Sequence, residues 1–333
     1  VLYGPRDAAD VTGVARVYEH DVDEFRTHAC PRVTVLTPQF IRASGASVIL
    51  GIAARQRAAT LSDSAGHAME PTVTIALRAA RRAGEHIVRA SDDLERVRVR
   101  VKDANDFVSE VDEQAEAIIV EQLRRAYPEH AFLGEESGLS GPEDADYQWV
   151  IDPLDGTTNF LRGIPHYAVS IACVYRGRVE HAVVLDPVRR EEFVASRGRG
   201  AQLNGHRMRV SRLPSLEGAV LGTGIPFRGH HDAVLPAYAR TLALLAAQCA
   251  GIRRAGAATL DLAYVAAGRL DAFWEIGLAR WDMAAGALLV REAGGLVADL
   301  DGSENYLDSG NIVCGNPKCF KAVLQAARPL AGS

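Results

Sequence analysis

Residues 149–160 read WVIDPLDGTTNF, in which Asp152 and Asp155 are separated only by Pro153 and Leu154. Two further acidic clusters stand near expected element boundaries: Glu135-Glu136 in FLGEESG, and Asp282 in ARWDMAAGALLV. Each alone has a plain structural reading. Asp-Pro and Asp-Gly form turns, paired glutamates sit on solvated loops, and aspartate caps helices. Brought together by folding, four carboxylates would repel and hold their protons tightly unless a positive charge intervened. No histidine cluster or lysine-rich loop accompanies them. Oxygen-only donors suit a hard cation such as Mg²⁺, which favours carboxylates, waters and phosphate oxygens. Pro153 stiffens the link between the two aspartates, and the Leu154 carbonyl offers one more oxygen. Gly156 would let backbone approach a ligand. Thr157 and Thr158 add hydroxyls and N–H groups at a predicted helix start, a place that favours phosphate. Without metal, this segment is expected to be a loosened, acid-sensitive loop.

These side chains need elements to position them. Val73, Ala76, Leu77, Ala80, Ala83, Ile87 and Val88 follow helical spacing behind Pro71. Val97, Val99 and Val101 alternate with Arg98 and Arg100, which predicts a half-buried strand. A second helix carries Val111, Ala115, Ile118, Ile119, Leu123 and Ala126 on one face and stops before Pro128. Short strands are predicted at 131–133 and 148–151, so two of the acidic clusters directly follow a strand. Residues 167–201 read as a meander with a turn at Arg176-Gly177. Helical spacing returns over 233–247, 260–267 and 282–293; LVADL and NIVC are the last strands, and 320–327 a last helix. The mixture, antiparallel in its middle, predicts an α+β or mixed α/β fold rather than a βαβ repeat.

Composition sets bounds on function. Of 333 residues, 48% are hydrophobic and 24% charged, and the formal net charge is −5. That balance gives no support to a general nucleic-acid-binding surface. The five cysteines have no paired or zinc-site spacing, and are expected to be reduced thiols of a cytoplasmic protein. No apolar run is long enough to span a bilayer, and the charged stretch Val1 to Asp10 does not read as a signal peptide. Residues 1–68 show no sustained period beyond a helix-like stretch around 48–59, and the first methionine is Met69. The expected organisation is an N-terminal extension over 1–68, poorly ordered or an upstream mis-start, then one domain over 69–333. An ordered accessory segment is the other reading of 1–68.

WVIDPLDGTTNF followed by Leu161 and Arg162, with FLGEES upstream and WDMAAGALLVREAGG downstream, resembles the inositol monophosphatase family. The resemblance runs from about Met69 to the C-terminus and is closest to the bacterial SuhB-type members. It implies a layered αβαβα sandwich of the inositol monophosphatase and fructose-1,6-bisphosphatase type. It also implies hydrolysis of inositol monophosphate and similar polyol phosphates by activated water, with two or three Mg²⁺ ions, inhibition by Li⁺, and a homodimer. Carried over by motif, Glu135, Asp152, Asp155 and Asp282 would be metal ligands, with the Leu154 carbonyl and Thr157 completing the shell. Glu135 and Thr157 would orient and deprotonate the water. Asp112, in VSEVDEQAE, matches the family's acidic residue near the substrate side, and Lys102 fits an auxiliary basic position. The segment GAATLDLAYVAAGRLDAFWE matches the substrate-binding stretch, adding Gly256, Ala257, Ala258 and Glu275 to Asp155, Gly156 and Thr157. Ala257 stands where a hydroxyl residue is often found.

Two other readings stay open. One is a related Mg²⁺-dependent phosphatase for fructose 1,6-bisphosphate or a 3′-phosphoadenosine nucleotide. The other is a SuhB-like factor in transcription antitermination and rRNA maturation, bound to transcription elongation or RNA polymerase complexes. For that role Arg189, Arg190, Arg197, Arg199, Arg207, Arg209 and Arg212 form a basic stretch, whose plain reading is a solvated face.

Overall fold

A computed structural model describes residues 69–103, 106–226 and 233–331, so the helix-like stretch expected around 48–59 lies outside the described residues. Helix α1 (Pro71–Ser91) begins on its proline and buries Val73, Ala76, Leu77, Ala80, Ala83 and Ile87, the face its spacing predicts. Among the described residues, strands β1 (Val99–Asp103) and β2 (Asp106–Ser109) pair only with each other. The half-buried strand expected at 97–101 is therefore corrected. Val97 closes a short 3₁₀ turn, and Val99 is 45% exposed while Val108, on the partner strand, is buried. Lys102 belongs to β1, and its side chain lies outside the described residues. Helix α2 (Glu110–Ala126) opens on a capping box between Ser109 and Asp112 and ends just before Pro128.

Both helices pack on one face of an eight-stranded sheet. Its strands are β3 (Ala131–Gly134), β4 (Gly138–Ser140), β5 (Tyr147–Asp155), β6 (Ala168–Tyr175), β7 (Arg178–Asp186), β8 (Glu191–Ser196), β9 (Gly200–Leu203) and β10 (His206–Arg207). Their spatial order is β10-β9-β8-β7-β6-β5-β3-β4, antiparallel except where β3 runs parallel to β5. The predicted meander is β6 to β9. Strand β5 is buried on both faces. Trp149 and Ile151 join Ile87, Ile119 and Leu123 under α1 and α2, while Val150 faces the opposite layer. Truncating Ile119 or Leu123 to alanine would cost about 2–5 kcal/mol, because both are fully enclosed.

That opposite layer is α5 (Ala258–Ala266) and α6 (Arg280–Glu292), following the short α3 (Thr157–Leu161) and α4 (Leu235–Ala246). Leu260, Leu262 and Leu288 fill the space between the large sheet and a second, five-stranded one. The second sheet comprises β11 (Val220–Thr223), β12 (Gly251–Arg253), β13 (Ala272–Glu275), β14 (Leu296–Ala298) and β15 (Ile312–Gly315), in the order β12-β11-β13-β15-β14. Its outer face carries α4 and α8 (Pro317–Ala327), which enclose Trp274, Val313 and Val323, while α7 (Tyr306–Ser309) precedes β15. The five layers make the expected αβαβα sandwich. Cys173, Cys314 and Cys319 are buried free thiols. Among the described residues no helix is long and apolar enough to cross a membrane.

Candidate active site

Asp152-Pro153-Leu154-Asp155 is not a turn. Strand β5 continues through it, with Asp152 opposite Ser170 and Asp155 opposite Ala168 on β6. Three steps on β5 thus oppose two on β6, which is a β-bulge, and Pro153 fits there because a bulge spares it a ladder N–H. The consequence is geometric. In a regular strand, residues three apart point to opposite faces. Here Val150 faces α5 and α6, Ile151 faces α1 and α2, and Leu154 faces α1 and α2 again, so the alternation slips by one between them. Asp152 and Asp155 consequently face the same layer. Within the bulge, Leu154 N donates to Asp152 Oδ1 (3.0 Å).

Asp155 reaches the start of α5, where its Oδ2 accepts from Thr259 N (2.7 Å) and from the Thr259 hydroxyl. The N-cap position is Ala257, which has no oxygen to give, so a carboxylate from β5 performs the capping instead. Ala257 and Ala258 are 1% and 7% exposed. Their methyl groups belong to the core, so any ligand contact from them must come from backbone. Gly156 follows at φ 93°, ψ 35°, and an added Cβ would stand 3.1 Å from the His166 carbonyl and 3.3 Å from that of Gly256. Side chains are disfavoured there by conformation and by space. Buried Asn159 ties the same strands of chain together, its Nδ2 donating to the carbonyls of His166 (2.8 Å) and Ala255 (2.9 Å).

Thr157 opens α3 as expected, but with five residues this helix has little dipole, and what it offers is its free N–H groups. The Thr157 hydroxyl lies 2.9 Å from Asp112 Oδ1 and 3.1 Å from the Leu154 carbonyl, donating to one or the other. Asp112 is fully enclosed, and its Oδ2 accepts from Ser109 N (2.9 Å) and the Ser109 hydroxyl. It lies one step behind Thr157, as a residue that holds that hydroxyl.

Glu135 follows β3, and its N–H donates to Ile151 O (3.1 Å), which seats it beside β5. Asp282 occupies the third position of α6 and accepts from Ala279 N (2.7 Å), so it is a helix cap as well as a member of the site. Glu275 ends β13 over Gly224, where any side chain would collide with its carboxyl.

One field unites these groups. Burial raises the Asp152 carboxyl well above its ordinary value, and the charges of Glu135, Asp155 and Asp282 raise it further. Asp282 is raised by burial and then by Asp155, with Glu135 adding to it. Burial lifts Asp155 from 3.8 to about 6, against the pull of its Thr259 hydrogen bonds. Glu275 and the enclosed Asp261 are raised in the same way, by burial first, and the Arg254 guanidinium opposes the rise in both. The expected acid sensitivity is therefore corrected. With these carboxyls raised, protons relieve the metal-free site, and it is rising pH that strains it.

A hard divalent cation fits this donor set. The donors are oxygens, Asp152 is buried and Glu135, Asp155, Asp282 and Glu275 are half-buried around it, and the energy that raises the pKa values of the aspartates is energy a positive ion would release. Among the described residues no three His, Cys, Asp or Glu side chains form a ready-made cage. The fit is to ions that each take one or two carboxylates and complete their shells with water and phosphate, the habit of Mg²⁺. The structure thus brings Glu135, Asp152, Asp155, Asp282 and Glu275 into one electrostatic neighbourhood, with Thr157, Gly156 and Gly256 at its edge. Four residues escaped notice in the sequence: Thr259, Asn159, Asp261 and Glu116. Only Glu116 carried a signal, since it stands one helical turn after Asp112.

The sequence profile described as the inositol monophosphatase family matches residues 68–331. The Nus factor SuhB of Pseudomonas aeruginosa is 64% identical over 263 residues, covering 78% of this chain and 97% of that protein. Among solved structures, the extragenic suppressor protein SuhB of Bartonella henselae superposes with a TM-score of 0.74 at 44% identity, over 77% of this chain and 97% of that one. Inositol monophosphatase from Anabaena (Nostoc) sp. does so with a TM-score of 0.67 at 35% identity, over 76% and 94%.

Proposed function

This chain belongs to the inositol monophosphatase family, and on that premise we propose that it hydrolyses small phosphate monoesters, inositol monophosphate foremost, with the help of Mg²⁺. The observation that carries the reading is the bulge in β5, which turns Asp152 and Asp155 to one face, within the field of Asp282. Asp152, Asp155, Asp282 and Glu135 would hold the ions, with the Leu154 carbonyl as a further oxygen. Bound there, Mg²⁺ would neutralise the phosphate oxygens and make a water more acidic.

The chain's own groups do the rest. With its hydrogen committed to Asp112 or Leu154, Thr157 Oγ1 keeps lone pairs that can accept from an attacking water. Asp112, raised by burial, is a suitable end for that proton path. The N–H groups of Gly156 and Thr157, at the start of α3, would donate to phosphate oxygens. Glu275 would meet a hydroxyl of the alcohol portion. Phosphoryl transfer asks mainly for such positioning and charge balance, so no covalent nucleophile is required. The catalytic unit is residues 69–333, a boundary supported by the family match. Homodimerisation and a cytoplasmic location belong to the same proposal.

Phosphate release from inositol 1-phosphate and from fructose 1,6-bisphosphate, with Mg²⁺ and with chelator, tests it. Release that survives both chelation and Asp282→Asn would sink the reading.

A second reading draws support from the 64% identity to a Nus factor SuhB. A similar role in transcription complexes would leave the fold and site as they are. The basic stretch gives it little help, since Arg189 pairs with Asp186, Arg197 with Glu180 and Arg199 with Glu70. Capture of transcription elongation factors by wild type and by Asp282→Asn alike would establish such a role as independent of catalysis.

A further inference from the structure

We infer that Glu116 is a positioning residue for Glu135, and that it sets how tightly the site holds a divalent cation. The inference rests on the metal-dependent reading above.

Asp112 and Glu116 lie one turn apart on α2, so their side chains leave the same face of the helix. Asp112 reaches Thr157, and Glu116 reaches the loop after β3. Its Oε2 accepts from Glu136 N and its Oε1 from Ser137 N, each at 2.9 Å. Glu116 is only 3% exposed. Glutamate is seldom buried so deeply unless its charge is met, and here two parallel backbone N–H groups meet it.

The grip has a counterpart in sequence. Gly134 lies within regular β3, and its backbone does not itself require glycine. A Cβ there would overlap the Glu116 carboxylate. The absence of a side chain at 134 is what admits Glu116 to the loop.

Glu135 is thereby held from both sides. Its own N–H is fixed to Ile151 O on β5, and the next two N–H groups are fixed to α2. Three consecutive amides are pinned, so the Glu135 side chain starts from a set point beside Asp152. Its charge acts on both Asp152 and Asp282 from that point. Release of the Glu116 grip would free the two amides that follow Glu135 from their anchor on α2, and a ligand with a wandering origin binds more weakly.

The experiment is calorimetric titration of Mg²⁺ into the chelator-stripped full chain, for wild type, Glu116→Gln, Gly134→Ala and the double variant. Gln keeps the length but sets an NH₂ against one of the two N–H donors. Ala at 134 displaces the intact carboxylate without altering it. Each single variant should bind Mg²⁺ about 10-fold more weakly or worse, and the double variant no more weakly than the singles, because both break one contact. In turnover, the Mg²⁺ concentration for half-maximal rate should rise in parallel while kcat at saturating Mg²⁺ recovers. A general packing defect would instead lower kcat at every Mg²⁺ concentration. Wild-type Mg²⁺ affinity in either folded single variant overturns the inference and leaves the phosphatase reading standing. Absence of Mg²⁺ binding by the wild type overturns both.

Discussion

Replacing Asp155 with asparagine should stabilise the metal-free protein while removing its response to Mg²⁺. Holding the Asp155 carboxyl at about 6 against an ordinary 3.8 means that ionising it costs about 3 kcal/mol more in the folded protein than in the unfolded chain. Water at this partly exposed group trims the figure toward about 2 kcal/mol. Asparagine removes the charge but still accepts from Thr259 N, losing about 1 kcal/mol because the hydrogen bond is no longer charge-assisted. Asp152 and Asp282 gain as well, since each is raised by the charge at 155. The net expectation near neutral pH, with chelator present, is a variant about 1–2 kcal/mol more stable than wild type.

The sign with pH follows from the direction of the shift. A carboxyl raised in the folded state keeps its proton longer there, so its contribution to stability is lost as pH rises from about 4 through about 6. Other carboxylates, such as Glu191 held low by Arg269, act in the opposite direction, and for this reason the difference between the two proteins is the quantity to follow. Urea unfolding in chelator, read by the fluorescence of the buried Trp149 and Trp274, should show that gap opening as pH rises through the window and closing in acid. Saturating Mg²⁺ near neutral pH should reverse the order, stabilising wild type alone. A gap of opposite sign near neutral pH, or one that widens in acid, would refute the electrostatic account of this site.

Asp112→Asn should lower kcat about 100-fold with little change in KM, because it disturbs the hydrogen bond that orients Thr157 and leaves the substrate contacts alone; steady-state kinetics at saturating Mg²⁺ will show which parameter moves. Deleting Pro153 should straighten β5 and leave Asp152 and Asp155 two places apart, still on one face and still opposite Ser170 and Ala168, so Mg²⁺-induced thermal stabilisation should survive; its complete loss, in melting curves with and without Mg²⁺, would refute the claim that the bulge acts by setting the face. Li⁺ titrated against fixed Mg²⁺ should inhibit phosphate release; an enzyme indifferent to Li⁺ would point to a more distant phosphatase activity.

Much of this was legible in the residues. The spacing of Val73 to Ile87 and of Val111 to Leu123 announced α1 and α2, because helices that pack on one face must repeat their apolar positions near every third or fourth residue. The donor chemistry was equally plain, since Glu135, Asp152, Asp155 and Asp282 are carboxylates wherever they lie, and carboxylates without histidine or cysteine favour hard cations. Short strands such as β11 and β13 were not legible, because four residues carry too little period to separate them from loop. The exposure of Val99 escaped for another reason: alternation in sequence says which residues share a face, and only a neighbouring layer decides whether that face is covered.

The same division runs through WVIDPLDGTTNF. By itself the sequence determined that two carboxylates, a proline and a glycine lie within five residues, and so what kind of ligand they could take. Only the tertiary structure decided that they form a bulge and not a turn, for a bulge is a property of two strands paired, and β6 is what makes it one. That pairing, by absorbing one residue, puts Asp152 and Asp155 on one face. The rest of the site arrives across the layers: Thr259 from α5 to hold Asp155, Asp112 from α2 to hold Thr157, and Asp282 from α6 to close the field. No local pattern encodes those distances, because each depends on where a separate element comes to rest.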